Sequence, residues 1–310
     1  MAEPLVTAIV STYAAERFIR GCMEDLLSQS LGEQLEILVI DSGSPQRESA
    51  IVEEYRRAHP GRITLIRTER EPLYAAWNRA IPLARGRFLT NANTDDRHRA
   101  DALERLAEAL QKQPEVGLVY ADQWISTREN ETFSECTERG AKRRNWPDFT
   151  HHDLMLRCIT GSQPMWRKEL HHSLGGFNTE YRIAADYDMW LRIAAQFPLH
   201  HLPEVLGVVY ESPTTISGKA NRLPMNMESL KIQSQYMKLA PWNSLPGLRR
   251  ALARELFGRG YQHIESDGDG ASARLFIWKA MQLDPLRLSY SKTYLARCLL
   301  ARHKSPTSRV

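Results

Sequence analysis

An α/β fold with a mostly parallel sheet is predicted for roughly the first two thirds of this 310-residue chain, followed by helices. Three observations predict it. Short apolar runs alternate with stretches of helical period through the first hundred residues, the signature of β-α-β units. That alternation breaks after Asp122 and resumes late. From about residue 220 only helical periodicity remains.

VTAIVST (6–12) reads as a buried strand, and 16–29 follows with Phe18, Ile19, Cys22, Met23, Leu26 and Leu27 at helical spacing. LEILVID (35–41) is a second strand closed by Ser42-Gly43-Ser44-Pro45, before a helix over 46–58. RITLIRT (62–68) is a third strand, and 74–85 a helix that Pro82 kinks. GRFLTNA (86–92) ends at an acidic turn, Asn93-Thr94-Asp95-Asp96, and helix 99–112 and strand 116–122 continue the pattern. Residues 123–150 read as a long loop or irregular insertion. A strand and the start of a helix are expected over 156–170, a helix over 186–197, and a last strand over 202–211. Helices are expected over 226–239, 246–262 and 270–283, with a short basic amphipathic end from Tyr294 to His303.

Composition is ordinary for a globular protein, 42% hydrophobic and 25% charged. Cys22, Cys136, Cys158 and Cys298 have no paired spacing, so neither a disulfide framework nor a zinc site is indicated and a reducing cytoplasm is expected. No basic region precedes the first apolar run, and no stretch approaches the roughly 20 apolar residues that cross a bilayer. The net charge of +4 is uneven: residues 219–310 carry 16 Lys/Arg against 6 Asp/Glu, and residues 1–218 carry 25 against 31. Such a C-terminal patch suits an anionic partner or a solvated helical surface. No nucleic-acid motif accompanies it, so nucleic acid is not expected as a partner.

Ligands of an open parallel sheet sit beyond the C-terminal ends of its strands. Thr12-Tyr13, Asp41 and the 93–96 turn all end strands and would crowd one edge. Asp41 offers a carboxylate to a base N–H, and Tyr13 a flat face for stacking. Asp95 and Asp96 are hard oxygen donors suited to magnesium or manganese, which borrow part of their coordination from substrate phosphates. Read alone, these aspartates serve equally as turn residues or helix caps.

The runs TAIVSTYAAERFI, LEILVIDSGS and LYAAWNRAIPLARGRFLTNANTDDRHRADAL resemble the nucleotide-binding half of family 2 glycosyltransferases of GT-A fold. SQPMWRKEL, LGGFNTEYRIAADYDMWLR, LPEVLGVVY and TTIS resemble that family's acceptor half, in the same order. The resemblance covers about residues 5–218 and is closest to bacterial enzymes building surface polysaccharides or exopolysaccharides. It implies a GT-A domain over 1–218, with a nucleotide-sugar half (1–122) and an acceptor half (123–218), and a basic helical extension over 219–310. It implies an inverting transfer from a nucleotide-sugar, usually a UDP-sugar, to a hydroxyl of a glycan or lipid-linked glycan, with Mn2+ or Mg2+ as cofactor.

Position by position, the resemblance puts Thr12 and Tyr13 in the nucleoside pocket, Asp41 on the base, and Asn78 beside the donor. It puts Asn93, Thr94 and Asp95 in the metal and ribose motif, with Asp95 as the metal ligand and Asp96 in a supporting or capping place. Asp186 takes the place of the general base that deprotonates the acceptor hydroxyl. Asp188 is its rival two residues on, and a helix cap is the plain structural reading of Asp186. Gln163, Gly176, Phe177 and Trp190 fall in the acceptor pocket, Trp190 also fitting a core position.

Several positions depart from the family pattern. Ala14, Ser42, Trp77 and Asn93 stand where Asn, Asp, Arg and Asp are frequent, and no His follows Tyr210 where many relatives use one to hold metal. A catalytically weakened nucleotide-sugar or glycan-binding protein of the same fold is the alternative these departures suggest. A dehydrogenase or nucleotidyltransferase is disfavoured, because the first turn lacks the glycine fingerprint and no Gly-rich Lys-Ser/Thr loop exists. The basic C-terminal helices suit peripheral contact with the inner face of an anionic membrane, with Arg297, Arg302 and Lys304 flanking Leu295, Leu299 and Leu300.

Overall fold

The computed structural model describes residues 3–212, 215, 218, 221–267 and 270–299. The chain forms two compact units, Met1–Thr150 with Cys158–Arg222, and His151–Arg157 with Leu223–Val310. Of the tail residues named for membrane contact, Leu300, Arg302 and Lys304 lie outside the described residues, as do Thr214, Ile216 and Ser217 of the TTIS run.

The first unit is an α/β body on one nine-stranded sheet. Its strands are β1 (Val6–Thr12), β2 (Leu35–Asp41), β3 (Ile63–Arg67), β4 (Phe88–Asn91), β5 (Arg97–His98), β6 (Leu118–Ser126), β7 (Lys142–Arg144), β8 (Met165–Arg167) and β9 (Leu199–Tyr210). The order is β3-β2-β1-β4-β8-β6-β9-β5, with β7 paired to β6. Strands β1, β2, β3 and β4 are parallel, and β8 runs against both β4 and β6, so β6 and its parallel partner β9 point the same way as β1. The sheet is therefore mostly parallel, and six strands deliver their C-terminal ends to one edge.

Helices α1 (Glu16–Leu27), α2 (Glu48–Ala58), α3 (Leu73–Ala80) and α4 (Ala102–Lys112) connect these strands, and α5 (Phe133–Glu138), α7 (Leu170–Leu174) and α8 (Ala185–Ala194) complete the unit. All of β2, and all of β1 except Ser11, is buried, because helices cover both sheet faces. Val6, Val10, Ile37 and Val39 meet Ile19, Met23 and Leu26 of α1 in one core with Leu103, Leu106 and Leu110 of α4.

Three expectations change. Helix α3 stops at Ala80, so Pro82 ends the helix instead of kinking it, as the restriction on the residue before proline favours. Helix α4 starts at Ala102, behind the short strand β5, so Asp95 and Asp96 lie too far upstream to cap it. Residues 123–150 are more ordered than a loop: β6 continues to Ser126, α5 is closed by a Thr132–Glu135 capping box, and β7 pairs with β6. The segment is too short in each element for periodicity to reveal it.

The second unit consists of α6 (His151–Leu156), α9 (Arg222–Tyr236), α10 (Leu248–Gln262), α11 (Gly270–Leu283) and α12 (Leu288–Thr293), the last continuing as a π-helical turn to Leu299. Leu230, Leu252, Leu256, Phe276, Ala280 and Tyr290 form its core. The Gln233 amide donates to the Met155 and Leu156 carbonyls at 2.9 and 3.0 Å, and Arg259 donates to Leu156 at 2.7 Å. These bonds satisfy carbonyls left open at the end of α6.

Candidate functional site

The parallel register sets Thr12 beside Asp41 and Asp41 beside Arg67, so the first three strands end in one row. Asp41 is almost wholly buried. Its Oδ1 accepts from the Ser44 amide at 2.7 Å, its Oδ2 accepts from the Ser49 hydroxyl, and Arg67 stands 3.7 Å away. Each carboxylate oxygen has a second lone pair, so Asp41 keeps acceptor capacity for a ligand N–H. Tyr13 is 42% exposed, and Arg70 lies over its ring at 3.6 Å. One ring face is thus covered by a guanidinium.

Ala14 holds φ +52°, a left-handed conformation that Asn or Gly adopts more readily. Its amide donates to Ser44 Oγ at 3.1 Å and the next amide, of Ala15, donates to Glu48 at 2.6 Å, so the loops after β1 and β2 are tied together. Glu48, which the sequence reading passed over, is fully buried at the start of α2. Thr12 Oγ1, Ser42 Oγ and Glu48 Oε2 are buried without hydrogen-bond partners. Three orphaned oxygens on adjoining loops are what a polar ligand or ordered water would satisfy, since each unmet group is worth about 1–3 kcal/mol. An open cleft of about 650 Å³, lined by Ala14, Arg17, Arg20, Gln46 and Arg47, adjoins these loops.

The acidic turn follows β4. Asn93 Nδ2 donates to Asp96 Oδ2 at 2.9 Å, and the Tyr210 amide at the end of β9 donates to Asp96 Oδ1 at 3.1 Å. Asp96 therefore acts as a strut between two strand ends, a supporting place and not a helix cap. Thr94 is buried, and Asp95 is only partly so. Asn91 and Asn93 both donate to the Ser162 carbonyl, at 2.7 and 3.5 Å.

Burial raises the Asp95 carboxyl above its ordinary range, and burial together with the charge of Asp95 pushes Asp96 up to about 7. Neither forms an ion pair among the described residues, which suits a site that receives a cation. No cluster of three or more His, Cys, Asp or Glu that could hold a metal exists among the described residues. The donor set fits a hard divalent ion only when phosphate oxygens complete it.

Asp186 lies in the first turn of α8, whose N-cap is Ala184. It is half-buried and is not the cap. Tyr74 Oη lies 3.0 Å from Asp186 Oδ1 and 2.7 Å from the Ile183 carbonyl, and the Tyr187 amide donates to the same Oδ1 at 2.8 Å. Burial and the neighbouring Asp186 charge hold the Tyr74 phenol well above its usual range, so it stays a neutral donor. Asp188 differs in kind: it is buried and bonded to Arg192 at 3.0–3.1 Å, one helical turn on. The Arg192 guanidinium therefore occupies Asp188 from the side of the next helical turn.

Tyr74 and Asn78 sit one turn apart on α3 and face the acceptor half together. Asn78 clamps the Phe177 backbone, accepting from its amide at 2.7 Å and donating to its carbonyl at 2.8 Å. A Cβ on Gly176 would stand 2.6 Å from Asn78 Oδ1, which explains glycine there. Phe177 and Trp190 are buried in an aromatic cluster with Trp166, their ring centroids 5.1–6.0 Å apart. Gln163 is buried too, its amide donating to the Arg97 carbonyl at 3.1 Å. Gln163, Phe177 and Trp190, expected in the acceptor pocket, are thus enclosed by the protein, whereas Gly176 is exposed.

The mostly parallel sheet gathers Thr12, Asp41 and the 93–96 turn at the strand-end edge where open α/β sheets take their ligands, and Asp186 stands in the first turn of α8. The family model of glycosyl transferase family 2 matches residues 7–163. The chain belongs to this family and has the GT-A fold. It is similar to chondroitin synthase of Escherichia coli, 26% identical over 254 residues, which cover 80% of this chain. The chain spans 36% of that relative's length. Among solved structures it resembles Staphylococcus aureus TarS 1-349 in complex with UDP-GlcNAc, with TM-score 0.66, 16% identity and coverage of 91% of this chain and 83% of that one. The mannosyltransferase PcManGT of Pyrobaculum calidifontis, in complex with GDP-Man and Mn2+, matches with TM-score 0.61, 20% identity and coverage of 97% and 89%.

Proposed function

We propose that the chain transfers a sugar from a UDP-sugar to a hydroxyl of a glycan or lipid-linked glycan with inversion at the anomeric carbon. The observation that carries the reading is the placement of Asp186, half-buried in the first turn of α8 and met by the Tyr74 hydroxyl and the Tyr187 amide, while Asp188 is buried against Arg192. Thr12, Asp41 and the paired loops after β1 and β2 bind and orient the nucleoside, and Asn93 and Thr94 face the ribose. Asp95 is the residue that would hold Mn2+ or Mg2+, with Asp96 bracing the turn. Such an ion, when bound, neutralises charge on the leaving diphosphate.

Asp186 accepts the proton of the acceptor hydroxyl while that oxygen attacks from the face opposite the diphosphate. Tyr74 fixes the carboxylate's direction. UDP in the TarS complexes and Mn2+ in the mannosyltransferase complex support the donor and metal choices by analogy of fold. Incubation with UDP-, GDP-, dTDP- and CMP-sugars, with and without manganese, tests the reading. Turnover confined to UDP-sugars and a product of inverted anomeric configuration by NMR are expected; retention, or preference for another nucleotide, contradicts it. Binding of UDP-sugar without transfer or hydrolysis would favour the weakened binding protein that Asn93 and the absent His suggest.

A further inference from the structure

Within the second unit, α11, α12 and the π-helical turn leave a face that its core does not use. Trp278 is 45% exposed, Leu286 86%, Leu288 68% and Leu295 54%. Trp278 packs beside Tyr294 with ring centroids 5.9 Å apart, which brings α11 and the turn to one surface. Leu288, Lys292 and Leu295 are spaced by four and three residues and are all exposed, while Tyr290 and Cys298 point into the core. Over 270–299 the sequence carries Arg274, Lys279, Arg287, Lys292 and Arg297 against a single acid, Asp284.

We propose that this face is a docking surface for an anionic lipid bilayer, with Trp278, Leu286, Leu288 and Leu295 entering the interface and Lys279, Arg287 and Lys292 meeting the head groups. Large apolar groups interleaved with bases are the pattern of an interfacial surface. Charge selects the occupant. A second copy of this chain would bring the same bases against themselves. Residues 300–310 add Arg302, Lys304 and Arg309 and no acid, so like charge opposes that segment as a cover. A negative surface satisfies the rim and the apolar centre together. No helix among the described residues is long and apolar enough to cross a membrane, so contact here is peripheral.

The test is co-sedimentation of the full chain with phosphatidylcholine vesicles, and with vesicles in which about one third of the lipid is phosphatidylglycerol. Binding to the anionic vesicles alone is expected, with about a fivefold loss in partitioning for Lys292→Glu or Arg287→Glu. L288S together with L295S is expected to lower partitioning about tenfold or more, with an unchanged circular dichroism spectrum. Anionic-vesicle binding that these variants leave intact overturns the proposal, as does absence of binding. Concentration-dependent dimerisation in light scattering that L288S/L295S abolishes would assign the face to a second copy and overturn it too.

Discussion

At the scale of single residues, the two aspartates of α8 show how environment divides like side chains into different tasks. Asp188 is part of an i,i+4 pair with Arg192, buried from solvent, whereas Asp186 one half-turn earlier meets a phenol and a backbone amide. Tyr74→Phe removes one donor from Asp186 and leaves the ring packing; we expect transfer to fall about tenfold, and the pH profile of kcat/KM to shift, with UDP affinity unchanged. An equal loss of UDP binding would make Tyr74 merely structural. The acidic turn yields a pH prediction. Because the folded-state Asp96 carboxyl is raised to about 7, the folded protein keeps a proton there that the unfolded chain has released above its ordinary value of 3.8. Metal-free stability contributed by this group is therefore full below that value and is lost as pH rises through about 7. A cation competes with the proton, so thermal stabilisation by manganese and UDP should grow from about pH 5 to about pH 8. A manganese effect that shrinks over this interval would contradict it.

At the scale of elements, the loops after β1 and β2 act as one cradle. Ala14 closes it in a left-handed conformation, and Ala14→Gly should raise stability by about 0.5–1 kcal/mol in urea unfolding, because the strain of a Cβ there is removed. Helix α3 is the bridge from the donor edge to the acceptor side. Asn78→Ala leaves the Phe177 amide and carbonyl without their partners, and a loss of about 2 kcal/mol is expected. Most strands and helices could be read from the sequence because each apolar run is long enough to show its period. The exceptions have physical causes: β5 and β7 have two or three residues, below any period, and they form because neighbouring strands offer open edges. Asn78 was assigned by sequence position to the donor side; its clamp on Phe177 spans 99 residues and leaves no local trace. Glu48 and Tyr74 were missed for the same reason. A Glu beginning a helix and a Tyr in an apolar helix look ordinary until the partners at Ala15 and Asp186 are known.

At the scale of the molecule, the parallel sheet fixes function by gathering strand ends. Thr12, Asp41, Asn91 and Tyr210 lie far apart in sequence yet share one edge; for the first three strand ends that convergence followed from β-α-β order, whereas Tyr210 arrives through the parallel pairing of β9 with β6. Uneven charge was visible too, as was Leu295 among the bases, but the exposure of Trp278, Leu286 and Leu288 was not, because helical period does not say which of several faces a bundle buries. Saturating UDP with manganese should raise the melting temperature of the chain by several degrees, as about 2.7 kcal/mol of linkage at a hundredfold excess over Kd requires. The most direct test of the account is transfer by Asp186→Asn and Asp188→Asn measured beside UDP binding by calorimetry. The account predicts that Asp186→Asn lowers kcat by about a thousandfold with UDP affinity within twofold of the parent, while Asp188→Asn loses stability and keeps most of its turnover. Transfer that survives in Asp186→Asn and vanishes in Asp188→Asn, with both folded and binding UDP, would contradict it.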